Sequence, residues 1–211
     1  GIKLDIPDKT TMTPNGALFR TDKKGFLPTM MEELYNERVT YKKKMLSAQQ
    51  EFENTKDNKY KKLISRYNNI QMARKISLNS AYGAIGNQYF RYYDKAIAEG
   101  ITKSGQLSIR WIENRLNKYL NNILKTDEDY VIASDTDSVY LTLDKLVTKT
   151  IKSDNALSKT INFLDKVASE SIEPYITKSY DELKQYTNAF ANKMFMKREV
   201  IADKGIWVAK K

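Results

Sequence analysis

Apolar side chains recur at Met31, Leu34, Tyr41, Met45, Ala48 and Phe52, with polar residues between them. Steps of three, four and seven residues put such positions on one face of a helix. The pattern therefore predicts a long amphipathic helix over about residues 29–54, with Pro28 suited to its first turn. Arg38 falls on the same stripe, where a cation is costly unless it has a partner, either an internal carboxylate or an anionic ligand. Residues 54–58 are polar turn material. Tyr60, Leu63, Ile64, Tyr67 and Ile70 then predict a second helix, running to about Tyr82, where Gly83 and Gly86 end it. Two long helices joined by so short a link pack antiparallel.

A third helix is expected over about 95–124, with Ile101, Ser108, Ile112, Tyr119 and Ile123 as its buried stripe. Gly105 inside it costs about 1 kcal/mol against alanine, and close approach to a neighbouring backbone is one reason to accept that cost. Before the first helix, the opening 27 residues are irregular apart from one hairpin-like piece around Asn15-Gly16. After the third helix the pattern changes period. Residues 130–133 and 139–143 alternate as two short strands with "DTDS" as the turn between them. A fourth helical region spans about 155–187, interrupted near Pro174, and "MFMKREVIA" and "GIWVA" complete the chain as strands. The fold class is α+β: a long antiparallel helix hairpin attached to antiparallel strands covered by helices. The expected division is 1–27, 28–86 and 87–211.

Composition narrows the chemistry. The chain has 211 residues with no cysteine and no histidine, which excludes disulfides, Cys/His zinc sites, cysteine nucleophiles and histidine acid–base catalysis. Any metal must be held by oxygen ligands, favouring magnesium, manganese or calcium. No apolar run approaches the roughly 18 residues of a membrane span, so no membrane partner is expected. Net charge is +10, and eleven Lys or Arg against three acids fall within residues 38–75. A polyanion partner and a merely solvated lysine-rich hairpin both fit that excess.

Three constellations can do chemistry. Asp135 and Asp137 at a tight turn between strands form either a platform for divalent ions about 3.5–4 Å apart or an ordinary hairpin turn. Lys75, Asn79 and Tyr82 share one helix face at i, i+4 and i+7. A cation and an amide there can grip phosphate oxygens, and the ring beside Gly83 can pack on a base pair. Alternatively they form a mixed solvent face. Arg38 and Lys42 repeat the i, i+4 spacing on the first helix.

The order of these features carries a resemblance. "RKISLNSAYGAIGNQYFRYYD" (74–94) resembles motif B of the family B DNA polymerases, with its K-x-x-x-N-S-x-Y-G pattern. "IASDTDSVY" (132–140) resembles their motif C. "YNERVTYKKKML" (35–46) resembles the first fingers helix of tailed-phage replicative polymerases, and "SIEP" with "MFMKREVIADKGIWVAKK" looks like their later palm. The resemblance implies fingers at 28–86 and parts of a palm on either side. It implies a template-directed nucleotidyl transferase using two magnesium ions, with manganese as a substitute. Asp137 matches the aspartate that bridges both ions, and Asp135 its variable neighbour. Glu199 matches an acid near the metals. Arg38, Lys42, Lys75 and Asn79 match the residues that hold the incoming deoxynucleoside triphosphate. Tyr82 and Gly83 match the surface that checks the new base pair. Lys210 and Lys211 look like the start of the K-K-x-Y element on the primer–template minor groove.

Two departures stand out: Ala133-Ser134 replaces the usual Tyr-Gly, and Lys197 stands where related phage enzymes often have an acid. The family's motif A, D-x-x-S-L-Y-P-S, is not in the chain, nor are an exonuclease domain and a thumb. The expectation is thus a fingers and partial-palm piece, either cut from a longer protein or one product of a split polymerase. It should be inactive alone and depend on a polypeptide carrying motif A, exonuclease and thumb. An unpaired sheet edge and an exposed apolar face would favour docking to that polypeptide or self-association. Its place of action would be the cytoplasm, that of an infected bacterium if phage-encoded. The rival readings are a non-catalytic basic module that only binds nucleic acid, and a structural partner fragment.

Overall fold

The structure is a computed structural model and describes residues 3–151 and 157–207. The chain divides into two compact units, one of Arg20–Ile101 and one of Gly1–Phe19 with Thr102–Lys211.

The first of these holds the helix hairpin. Helix α1 spans Phe26–Thr55 and α2 spans Lys59–Ile85. Lys56 takes a left-handed conformation (φ 54°), and its N–H returns to the Phe52 carbonyl at 2.7 Å, which closes α1. Asp57 then accepts the Lys59 N–H at 2.9 Å and starts α2. Antiparallel packing brings the Tyr41 and Tyr67 rings to 6.1 Å and Glu37 to 2.5 Å from the Arg74 guanidinium. Gly83 does not end α2. The helix continues through Ala84 to Ile85, which is buried, and Gly86 is its C-cap. Packing of Ile85 outweighs the modest cost of one helical glycine. Beyond it, Asp94 accepts the Ile97 N–H at 3.1 Å and begins α3, Lys95–Leu124.

The other unit is built around α3. Its buried ladder is Ser108, Ile112, Leu116, Leu120 and Leu124, one residue every four. Of the expected stripe, Ser108 and Ile112 are buried and Tyr119 is partly so, whereas Ile101 and Ile123 are exposed. Both faces of α3 carry apolar residues, and the elements packed against it select which face is dry. Those elements are a hairpin, β3 (Val131–Asp135) with β4 (Ser138–Leu141), and α6 (Glu173–Tyr186). Ile112, Leu116, Val131, Ile172, Ile176, Tyr180 and Leu183 form one core cluster. Trp111 donates to the Ser179 carbonyl at 2.8 Å, and the Tyr119 and Tyr175 rings stack at 4.2 Å.

A short helix that the pattern did not predict, α4 (Asp144–Thr150), follows β4. Then α5 (Leu157–Val167) runs into α6 through one π-helical turn, Ala168–Ile172. The interruption expected near Pro174 is that wide turn. Proline lacks the N–H that would reach back to residue 170, and the Glu173 N–H instead bonds the Ala168 carbonyl. Strands β1 (Thr10–Met12) and β2 (Leu18–Arg20) flank the Asn15-Gly16 turn, where Gly16 has φ 81°. Thr11 and Asn188 hydrogen-bond across to the backbones of Thr187 and Thr10, both at 2.7 Å, tying β1 to the end of α6.

Of the two late strands expected, "MFMKREVIA" is not formed, and the described residues 189–207 contain no strand; Val208 and Ala209 of "GIWVA" lie outside the described residues. Side chains hold this stretch instead. Arg198 pairs with Asp165, its N–H donates to Glu173 at 3.0 Å, and Asn192 donates to Asp181 at 2.8 Å. Strand character needs a partner backbone, which alternation along one segment cannot supply. Gly105 meets nothing within 4 Å of where a Cβ would stand, so close backbone approach does not explain it.

Candidate active site

The β3–β4 hairpin is short and pinned from below. Tyr130 and Val131 are buried, and the Asn117 side-chain carbonyl on α3 accepts both of their N–H groups, at 2.9 and 3.1 Å. A bulge between Val131 and Ala133 resets the register, after which Ala133 pairs with Tyr140, Ser134 with Val139, and Asp135 with Ser138. Only Thr136 and Asp137 remain for the turn. Thr136 has φ 54°, unusual for a β-branched residue. The Asp137 N–H donates to the Asp135 carbonyl at 2.6 Å, closing a three-residue turn. Thr136 Oγ1 donates to the Asp135 carboxylate at 3.0 Å, and Ser138 Oγ to the Asp135 carbonyl at 3.1 Å. Strain of this kind persists only where neighbouring contacts over-determine the turn.

Both aspartates are exposed. Asp137 lies within electrostatic reach of Tyr180, a buried α6 residue. Burial, and secondarily the Asp137 charge, push the Tyr180 phenol up to about 12. Nothing in the local sequence signals this residue: it reads as one more position of the α6 stripe. Glu199 is exposed in the irregular 189–207 stretch. Among the described residues no three Asp or Glu side chains gather closely enough to hold a metal ion. A divalent ion with six or more oxygen ligands fits the Asp135–Asp137 pair only if further oxygens are added.

The other candidates lie in the helix-hairpin unit. Lys75, Asn79 and Tyr82 share an exposed face of the unbroken α2. Open space surrounds Gly83 where a side chain would begin. Arg38 is half-buried on α1, and its Nε is buried with no hydrogen-bond partner among the described residues. Lys42, one turn on, is exposed. The Glu37–Arg74 pair, absent from the sequence reading, sets the neighbouring Arg38 and Lys75 at the same level of the hairpin. Lys210 and Lys211 lie outside the described residues.

Residues 2–205 match the sequence profile described as DNA polymerase family B. The DNA-directed DNA polymerase of Escherichia phage RB69 is 34% identical over 97% of this chain, and that of Enterobacteria phage T4 is 32% identical over 97%. The DNA polymerase delta catalytic subunit of Candida albicans is 34% identical over 63%. This chain spans 28% of the length of either phage relative. With a profile match running from residue 2 to residue 205, the chain belongs to family B of the DNA polymerases.

Proposed function

We propose that this chain forms the fingers and part of the palm of a DNA-directed DNA polymerase that adds deoxynucleotides to a primer on a DNA template. The observation that carries the proposal is the pinned turn at Asp135–Asp137, which presents two exposed carboxylates from a hairpin anchored to α3. Asp137, with Asp135 beside it and Glu199 in support, would hold the divalent ions. When bound, such ions activate the attacking oxygen and stabilise the leaving one. On the helix hairpin, Arg38, Lys42 and Lys75 supply positive charge and Asn79 an amide donor for a triphosphate. Arg38 has a buried donor in need of an acceptor. Tyr82 and Gly83 offer a ring and a bare backbone to the nascent base pair, and Lys210 and Lys211, outside the described residues, would contact the primer–template.

Two exposed carboxylates supply fewer oxygen ligands than two divalent ions take. The remaining ligands, with exonuclease and thumb functions, would come from a polypeptide carrying motif A, either joined to this chain in a longer protein or separate from it, and the place of action would be the cytoplasm, that of an infected bacterium if phage-encoded. Mixed with that polypeptide, magnesium, primer–template and deoxynucleotides, this chain should extend the primer, and Asp137→Ala should abolish extension. Extension that survives the substitution overturns the metal assignment. Salt-sensitive DNA binding with no extension in any mixture would instead support a binding module alone.

A further inference from the structure

We propose that Asn117 is a positioning residue for the aspartate turn: by holding the register of β3 it sets the direction in which Asp135 and Asp137 leave the core. The proposal rests on the reading of that pair as a metal platform. β3 carries one residue more than β4 between its base and the turn. Val131 pairs with Leu141 and Ala133 with Tyr140, so Ile132 has no place in the ladder. A bulge of this kind bends its strand and increases the twist, which aims the arm that ends at Thr136 and Asp137. The two strands alone do not favour it. Ile132 is 54% exposed and Val131 6%. Sliding the base of β3 by one residue, about 3.3 Å, would pair Ile132 with Leu141, bury the larger side chain and complete the ladder. Apolar burial grows with the area removed from water, so hydrophobicity and strand pairing both point to the register without the bulge. A group outside the hairpin must oppose them.

Asn117 is that group. Its side-chain carbonyl accepts the N–H groups of Tyr130 and Val131, at 2.9 and 3.1 Å, and these are the residues that would have to slide. Its amide donates to the Asp129 carboxylate at 2.5 Å, which fixes the way the carbonyl faces, and the same carboxylate oxygen accepts the Val131 N–H at 3.3 Å. On the far side the Thr142 N–H donates to the Tyr130 carbonyl at 2.9 Å, so Tyr130 is held from both directions. One turn further along α3, Asn121 grips the preceding loop. Its carbonyl accepts the Glu128 N–H and the Thr126 hydroxyl, both at 2.9 Å, and its amide donates to the Glu128 carbonyl at 2.7 Å. These Asn121 bonds reach no residue of β3. Asparagine is a poor residue for a helix interior, and both of these spend their side chains on residues 126–131. Asn121 anchors the loop, and Asn117 sets the register.

The test is the pattern of cross-strand proton contacts in NMR spectra of the isotope-labelled full chain. The parent should show Val131 against Leu141. Asn117→Ala should at least halve that contact and bring Ile132 against Leu141; unchanged pairing overturns the proposal. Asn117→Asp keeps an acceptor but sets a second carboxylate against Asp129, so it should shift the pairing too. Asn117→Asp/Asp129→Asn exchanges the two groups and should restore the parent pattern. That exchange decides the matter even where Asn117→Ala does not fold, because an exchanged chain that folds with shifted pairing overturns the register role. Asn121→Ala loses three side-chain hydrogen bonds, as many as Asn117→Ala, and should leave the pairing alone; an equal shift there means general loosening and overturns the assignment to Asn117. In the primer-extension mixture, Asn117→Ala should cut the maximal rate by about tenfold or more with the KM for deoxynucleotide within about twofold, and the exchange should recover the rate. Shifted pairing with an undiminished rate overturns the positioning role. Extension that survives Asp137→Ala sinks the metal reading instead, and the pairing result, which needs no metal, tells the two failures apart.

Discussion

Arg38 separates a ligand-binding role from a structural one at a single side chain. Its Nε is buried and has no acceptor among the described residues, and an unmet buried donor costs about 1–3 kcal/mol. Replacement by methionine keeps the packing stem and removes that cost. Arg38→Met should therefore melt at the same temperature as the parent or higher, while binding triphosphate at least tenfold more weakly in a nucleotide titration. A melting temperature several degrees lower would make the arginine structural. Tyr180 offers a pH-dependent counterpart. Its phenol is raised to about 12 by burial and by Asp137, against about 10 in an unfolded chain. The stability it contributes is present below pH 10 and lost as pH rises towards 12. Tyr180→Phe should flatten the loss of stability over that window in alkaline denaturation curves. Arg38 was legible in the sequence because a cation interrupts an apolar stripe. The link between Asp137 and Tyr180 was not, since it joins a turn to a helix far along the chain.

At the scale of elements, the long helices were readable and the short strands only in part. α1, α2 and α3 have enough turns for their periodicity to stand out. The face of α3 that is dry was not readable, because Leu116, Leu120 and Leu124 compete with Tyr119 and Ile123 on the same helix. Gly105 makes this a measurable matter. It is helical, exposed, and surrounded by open space where a Cβ would be. Gly105→Ala should stabilise the chain by about 1 kcal/mol, a rise of about 2–4 °C in melting temperature for a chain of this size. A fall instead would reveal a contact that the open surroundings of this glycine do not supply.

At the scale of the molecule, the unit containing Asp135 and Asp137 leaves apolar surface uncovered. β3 and β4 pair only with each other among the described residues. Ile132 and Tyr140 on that sheet are exposed, as are Phe190, Phe195, Val200 and Ile206 beyond α6. Exposed apolar patches with open strand edges promote association. Sedimentation at rising concentration should show reversible self-association of this chain through that apolar surface; a strict monomer at high concentration counts against it. Local order alone was enough to specify the hairpin of long helices, the aspartate turn and the family, because helix periodicity, turn chemistry and motif spacing are all properties of neighbouring residues. Packing decided the rest. It chose the dry face of α3, drew the α5–α6 segment through a π turn, placed Tyr180 near Asp137, and left residues 189–207 without a ladder. Each of those outcomes depends on which distant group arrives to fill a volume or accept a hydrogen bond, and no single segment encodes its own partner.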